Sequence, residues 1–280
     1  MFGKVKVASA AAILTLSVGA QANVVDLFTT NQIVSTSGVA VGTDVFSQVG
    51  SAMDTSIIGG YRDLIIKETI DGTGGGTSIA TMESFNGSLS FASAPTVTGV
   101  GTIQWDGNDN SATLDKTGMG AQDLVDQLGC PTGGCDRFIF DVLSSDFAFN
   151  FTIGLYTDDN NWTEFDLEAV NGAHTSEIFF SFFEDAAGCG VSGSPPLPSG
   201  VLAQRCGGVG GNQVADVENI GAIQVIFNID GTTDLDFKIG AVTKTGVPEP
   251  SMVALLGLGL ASSGLVSIRR RRKEKALLAA

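Results

Sequence analysis

The sequence predicts an all-β fold: a single jelly-roll-like β-sandwich, with a cleaved N-terminal signal peptide and a C-terminal transmembrane helix at its ends. Three observations lead there. Apolar residues alternate with period two through the middle of the chain, which buries one face of a strand. Strand-like runs recur about every ten residues and are separated by Asn, Asp and many of the 37 glycines. Helical periodicity is scarce, so a parallel α/β sheet with crossover helices is disfavoured.

From the N-terminus, Lys4 and Lys6 precede an apolar segment over 7–18, followed by Ala20-Gln21-Ala22. A charged region, a short hydrophobic core and a small-x-small site form an export signal, with cleavage expected after Ala22. Its expected partners are the Sec translocon and signal peptidase. A buried amphipathic helix is the alternative reading of this segment.

The domain is then expected over 23–246. Segment 23–60, rich in Val, Ser, Thr and Gly, is hard to place and is expected to hold an edge strand or to be partly disordered. Strands are expected over 61–69, 88–92 and 102–105. A couple of helical turns are expected over 121–128, where Leu124, Val125 and Leu128 share a face. Phe138, Phe140 and Val142 mark the next strand face, and Phe147, Phe149, Phe151, Ile153 and Leu155 the one after it.

The run 178–183 is apolar apart from Ser181, as in a strand buried on both sides or at the centre of the sandwich. Segment 185–211, rich in Gly, Ser and Pro, reads as a surface loop. Ile223, Val225, Phe227 and Ile229, then Leu235, Phe237 and Ile239, form two strands around an Asp230-Gly231 turn signal and are expected to pair as a hairpin.

Val247-Pro248-Glu249-Pro250 opens the tail. The 17 uncharged, mostly apolar residues 252–268 would make a helix of about 25 Å, the short end of what crosses a bilayer. Arg269, Arg270, Arg271, Arg272 and Lys273 follow and should stay on the cytoplasmic side with 274–280, leaving the domain outside. A plain membrane anchor is the simpler alternative. The order of Pro-Glu-Pro, short helix and Arg cluster resembles the PEP-CTERM sorting domain of Gram-negative bacteria over 247–273. That resemblance implies recognition by an exosortase, cleavage near Pro-Glu-Pro and a destination in the cell envelope, at the surface or in the extracellular matrix. It further implies a host that makes exopolysaccharide.

Composition narrows the partners. Of 15 Lys and Arg only 7 fall within 23–246, against 28 of the 30 Asp and Glu, so the domain carries a net charge of -21. Nucleic acid is a poor partner for such a surface. Solubility and cation binding suit it better. The four cysteines of an exported chain favour disulfides over metal ligation. Three pairings exist. Cys130 with Cys135 and Cys189 with Cys206 are preferred because each closes a loop with little core of its own. A zinc knuckle is the rival.

No residue is expected to be catalytic. The one histidine, His174, lies in a turn-like Asn-Gly-Ala-His segment, and no Gly-x-Ser-x-Gly elbow accompanies it. A carboxylate pair would suffice for glycoside hydrolysis. Glu68, Glu164, Glu168 and Glu177 are candidates, yet each fits the outer face of a strand.

Loop acids interleaved with Asn and Gly suit Ca²⁺, which prefers hard oxygen ligands. Asp106-Gly-Asn108-Asp109-Asn110 starts like an EF-hand loop but has Ser111 in place of the glycine and Thr117 in place of the glutamate. Asp158 and Asp159 form the second cluster, and solvated Asx turns are the alternative for both. A structural calcium is therefore the one candidate cofactor. The glycine runs 72–76 and 207–211 lack the Lys-Ser/Thr of a phosphate loop.

For a glycan, Trp162 in the Asp/Asn loop is the candidate stacking residue. Trp105 is in phase with Ile103 and belongs to the core.

The element order also resembles galactose-binding-like jelly rolls of carbohydrate-binding modules. The similar points are Arg62-Asp63-Leu64, Gln104-Trp105-Asp106-Gly107, the 146–156 strand before an Asp-Asp-Asn-Asn-Trp loop, and 217–224 leading to the last strands. The expected function is an exported, non-catalytic structural, adhesive or glycan-binding protein, with exopolysaccharide as a candidate partner. A polysaccharide hydrolase is the rival class.

Overall fold

The computed structural model describes residues 24–70, 79–125, 137–190, 197 and 200–245. Their strands are β1 (Val24–Asp26), β2 (Gln32–Ser35), β3 (Asp44–Gly50), β4 (Tyr61–Ile70), β5 (Ala80–Phe85), β6 (Ser88–Ser93) and β7 (Thr98–Trp105). The chain continues through β8 (Arg137–Ser145), β9 (Phe149–Tyr156), β10 (Trp162–Ala169) and β11 (His174–Phe179). A helical turn, α1 (Phe180–Phe183), precedes β12 (Val201–Cys206), β13 (Ala222–Phe227) and β14 (Asp236–Thr245).

All pairings between these strands are antiparallel. They build two sheets that pack as a β-sandwich. The first runs β11-β8-β14-β6-β5-β2, with β1 added beside β14, and the second runs β12-β10-β9-β13-β7-β4-β3.

Period two decides what faces inward. Phe138, Phe140 and Val142 of β8, Phe149 to Leu155 at alternate positions of β9, and Val225 and Phe227 of β13 are all buried. Aromatic rings meet between the sheets: Phe149 and Phe237 stack at 4.6 Å, and Phe138 meets Phe180 edge-on at 4.7 Å. Trp105 belongs to this core, as its phase with Ile103 predicts, and is fully buried.

One polar knot crosses the core. Arg62, fully buried on the inner face of β4, places Nη1 2.9 Å from both carboxylate oxygens of Asp26 on β1. Its remaining N–H groups go to Gln32 Oε1, Thr30 O and Ser84 Oγ, while Trp105 Nε1 and the Phe28 N–H also donate to Asp26. Five guanidinium donors and both carboxylate oxygens are satisfied.

Several expectations fail for identifiable reasons. The expected last hairpin does not form: β13 pairs with β7 and β9 in one sheet, whereas β14 pairs with β1, β6 and β8 in the other. The link arches across the sandwich, held by Asn228 Nδ2 on the carbonyls of Gly99 and Thr232. An Asp-Gly signal marks a change of direction without choosing the strand's partner. Ile229 in this arch is 38% exposed, and Phe147, which precedes the start of β9, is 46% exposed, so neither extends its expected inner face.

The apolar run over 178–183 is the end of an edge strand and one helical turn. Phe180 and Phe183, three apart, bury together on a helix, whereas a strand would turn them to opposite faces. No helix forms over 121–125, because Gln122 and Leu124 direct their N–H groups to the carbonyls of Ile220 and Val217. The rest of that expected helix lies outside the described residues.

Segment 24–60 holds three strands rather than one: β1, and one edge strand of each sheet, β2 and β3. Segment 185–211 contributes β12 as well as loop, and the Cys189–Cys206 disulfide is present within it. Cys130 and Cys135 lie outside the described residues. So do the expected signal peptide with Ala20 and Ala22, and the tail with Val247, Pro248, Glu249, Pro250 and Arg269 to Arg272. No helix among the described residues is long and apolar enough to cross a membrane.

Candidate functional site

The outer face of the second sheet carries two cross-strand rows that the register defines. The first reads Arg205, Glu164, Gly154, Gln224, Gln104, Asp63, Gln48 across β12, β10, β9, β13, β7, β4 and β3. Apart from the glycine, every member is a hydrogen-bonding residue. Six strand spacings make the row about 29 Å long.

The second row, one pleat away, is Ala203, Asp166, Thr152, Ile226, Thr102, Ile65 and Phe46, in which Ile65 is buried and half-buried Ile226 and exposed Phe46 put apolar surface beside the polar row.

At the β12 end the row is charged and tied together. Arg205 donates Nε to Glu164 at 3.0 Å and grips Asp166 with both terminal nitrogens. The Tyr156 hydroxyl lies 2.6 Å from Glu164 Oε1 and 3.3 Å from Gln224 Oε1. Gly154 makes room for that phenol, since a Cβ there would sit 2.6 Å from its oxygen. Burial, reinforced by the Glu164 charge, pushes the Tyr156 phenol far above its ordinary range, so it remains a proton donor to Glu164. Asp166 is held below its ordinary range despite its burial, because Arg205 and Thr152 donate to it.

Trp162 flanks this end. Its ring is 6.2 Å from that of Tyr156, and Lys116 Nζ lies 5.4 Å from each ring. The Gly207 backbone lies against Trp162, where a Cβ would come within 2.7 Å of the indole. The tryptophan is thus half-buried between a loop lysine and the chain after β12.

At the other end the row runs beneath the loop 106–119. Asp63, Gln104 and Asp106 are all at most 2% exposed, and Asp63 and Asp106 meet Asp109 there. The carboxylate oxygens of Asp63, Asp106 and Asp109 fall within 4.8 Å of one another. Gln48 Nε2 donates to Asp63 Oδ2, to the Gly107 carbonyl and to Asp109 Oδ1. Asp106 Oδ2 accepts from the Asp115 N–H. Three buried oxygens have no hydrogen-bond partner: Asp63 Oδ1, Asp106 Oδ1 and Gln104 Oε1.

Two unit charges 4.8 Å apart repel by about 3 kcal/mol at an effective dielectric near 20, so a counter-charge or a proton is required. Burial first, then the neighbouring Asp106 and Asp109 charges, push Asp63 up to about 8 against the opposing Gln48 hydrogen bond. Burial likewise pushes Asp106 up to about 6, opposed by the Asp115 N–H.

This raises a testable pH dependence in chelator. The folded carboxyls bind protons that the unfolded chain, with an ordinary value of 3.8, has already released. Their contribution to stability is complete below that value and is lost as the pH rises through about 6 and then about 8. In EDTA the urea midpoint should fall from pH 5 to pH 9 by the equivalent of roughly 5 kcal/mol, and Asp63→Asn should flatten the profile. An unchanged wild-type midpoint would contradict the protonated pair.

The sequence singled out Asp106, Asn108 and Asp109 but not Asp63 or Gln104. The fold brings Asp106 and Asp109 together and leaves Asn108 exposed. Asp158 is engaged locally, accepting from the N–H groups of Asn160 and Asn161 and from the Asn161 side chain, which hold it low. Among the described residues, neither Asp158 nor Asp159 joins an acidic cluster of metal-ligand geometry.

Of the candidate acids, Glu164 faces outward. Glu68 departs from expectation: it shares the inner face with Leu64 and Ile66, is 3% exposed and accepts from Thr36. Glu168 and Glu177 line one cleft of about 210 Å³ with Phe140, Phe151 and Ile178, and Glu177 is paired with Arg137 there. His174 begins β11 rather than lying in a turn, with Nδ1 3.1 Å from the Gly172 carbonyl.

Residues 246–272 match the PEP-CTERM protein-sorting motif. The motif implies export, exosortase processing and a membrane-anchored precursor in a Gram-negative bacterium. No curated protein matches the chain.

Among solved structures, an exo-β-agarase is similar over 75% of this chain at 11% identity and a TM-score of 0.35. The chain spans only 24% of the agarase's length. A family 11 carbohydrate-binding module from Clostridium thermocellum, in complex with a β-1,3-1,4-mixed-linked tetrasaccharide, is similar over 79% of this chain and 98% of its own. It shares 12% identity, with a TM-score of 0.30. The family 11 module of the Clostridium thermocellum cellulase Lic26A-Cel5E is similar over 78% of this chain and 96% of its own, at 14% identity and a TM-score of 0.28.

Proposed function

We propose that this exported chain is a non-catalytic binding protein of the cell surface or extracellular matrix, and that the outer face of its second sheet takes a neutral, hydroxyl-rich polysaccharide. The observation that carries the reading is the accessible part of the polar row, Arg205, Glu164, Gln224 and Gln48, together with the flanking apolar side chains of Ile226 and Phe46. A sugar chain offers hydroxyls to the first and apolar ring faces to the second. Phe46, 39% exposed on an edge strand, and Gln224 are the contacts we assign. The net charge of -21 over 23–246 favours a neutral polymer over an anionic one.

Native affinity electrophoresis of the full-length protein through gels containing a neutral β-glucan, or exopolysaccharide from the host, tests this. Retardation is expected, at least tenfold weaker for Phe46→Ala and Gln224→Ala, with no reducing ends released. Absence of retardation in every polymer would refute the binding reading. The rival is hydrolysis from the Glu168/Glu177 cleft. It predicts release of reducing ends that disappears in Glu168→Gln.

A further inference from the structure

We infer that Asp63, Gln104, Asp106 and Asp109 form a divalent-cation site, suited to Ca²⁺, that fastens the 106–119 loop onto the outer face of the second sheet. Two oxygens each about 2.4 Å from one Ca²⁺ lie at most about 4.8 Å apart, the limit within which the three carboxylates already fall.

An acidic cluster alone would carry little weight, since surface acids gather without an ion. Here the independent sign is Gln104. It is directly opposite Asp63 in the β4–β7 register and two residues before Asp106 on the same strand face. Its Oε1 is buried and has no hydrogen-bond partner, like Asp63 Oδ1 and Asp106 Oδ1. A neutral amide oxygen left without a donor beside buried carboxylates is a cation ligand in waiting, because a proton shared between Asp63 and Asp106 would leave it unsatisfied.

All the donors are oxygens, and a carboxamide oxygen beside carboxylates is typical of calcium rather than of zinc. The four oxygens leave two to four positions for water, consistent with Asp109 being the most exposed of the three acids.

The ligands also define what the ion does. Asp63 belongs to β4, Gln104 to β7, and Asp106 and Asp109 to the loop that departs from β7. Gln48 on β3 already bridges Asp63, the Gly107 carbonyl and Asp109. The far side of the same loop carries Lys116 over Tyr156 and Trp162, and Met119 donates its N–H to the Gly221 carbonyl. An ion at the near side therefore locks a flap that closes one end of the polar row. The site stands independently of any glycan.

The test uses the full-length protein in detergent, stripped with EDTA and titrated with CaCl₂ in the absence of sugar. Calorimetry should show saturable uptake of one equivalent, and the melting temperature should rise by several degrees. Asp109→Asn, at the least buried ligand and therefore safe for folding, should weaken uptake at least tenfold. Asp63→Asn should abolish the calcium response while remaining folded in EDTA, as its melting curve there reports. Asp158→Asn should respond like wild type. The site is refuted if wild type takes up no Ca²⁺ at millimolar concentration, or if Asp158→Asn loses the response while Asp63→Asn keeps it.

Discussion

Arg62→Met is expected to destabilise the folded domain by about 3–5 kcal/mol, the usual cost of leaving one partner of a buried ion pair uncompensated. The reason is the completeness of the arrangement. Arg62 and Asp26 are both fully buried, and every guanidinium N–H has an acceptor. Methionine fills a similar volume but leaves Asp26 with only Trp105 and the Phe28 N–H as donors, and it removes one of the two donors to the carbonyl of Thr30, leaving Ser84 Oγ. Because β1 belongs to one sheet and β4 to the other, the loss falls on the joint between the layers. At about 2–4 °C per kcal/mol for a domain of this size, the melting temperature should drop by roughly 10 °C. Trp105, hydrogen-bonded to Asp26, is a built-in fluorescence reporter. A double variant, Asp26→Leu with Arg62→Met, should recover part of the loss. A single-variant loss below 1 kcal/mol would show that the pair contributes little beyond its packing.

Glu249→Ala should abolish processing of the tail in the native host. The variant is expected to accumulate as a membrane-held precursor that retains the 252–268 segment, whereas wild type loses both termini. The glutamate sits between Pro248 and Pro250 within the matched sorting motif, and no other acidic residue lies between it and the Arg cluster. The domain ends its last strand at Thr245, so the substitution leaves the sandwich intact. Intact mass after membrane fractionation reads the result directly. A correctly shortened variant in the wild-type fraction would remove Glu249 from the recognition step.

Much of the sandwich was legible because alternation is local. Phe138, Phe140 and Val142 need only their own spacing to declare an inner face, and the same holds for Phe149 to Leu155. The limits of legibility were equally physical. Phe180 and Phe183 read as strand because a short apolar run carries no period that separates one helical turn from a buried strand. The arch over Asn228 to Leu235 read as a hairpin because turn chemistry describes the bend and says nothing of the sheet that the chain enters next.

The candidate site divides the same way. Asp106 and Asp109 stood out because they crowd a loop. Asp63 was hidden inside a strand motif, and Gln104 beside a core tryptophan. Arg62, the one cation on the inner face of β4, was visible as a break in an apolar pattern, yet its partner Asp26 lay in a segment without recognisable period.

By itself, then, the sequence determined the export address, the all-β class, the inward faces of the strands and the acidic character of the domain. Each of these depends on residues that are neighbours along the chain. Only the tertiary structure decided which strands pair, and with that the row from Arg205 to Gln48, the Arg62–Asp26 joint and the meeting of Asp63 with Gln104, Asp106 and Asp109. Period two assigns a side chain to a face, whereas the register of non-local strands assigns it its neighbours.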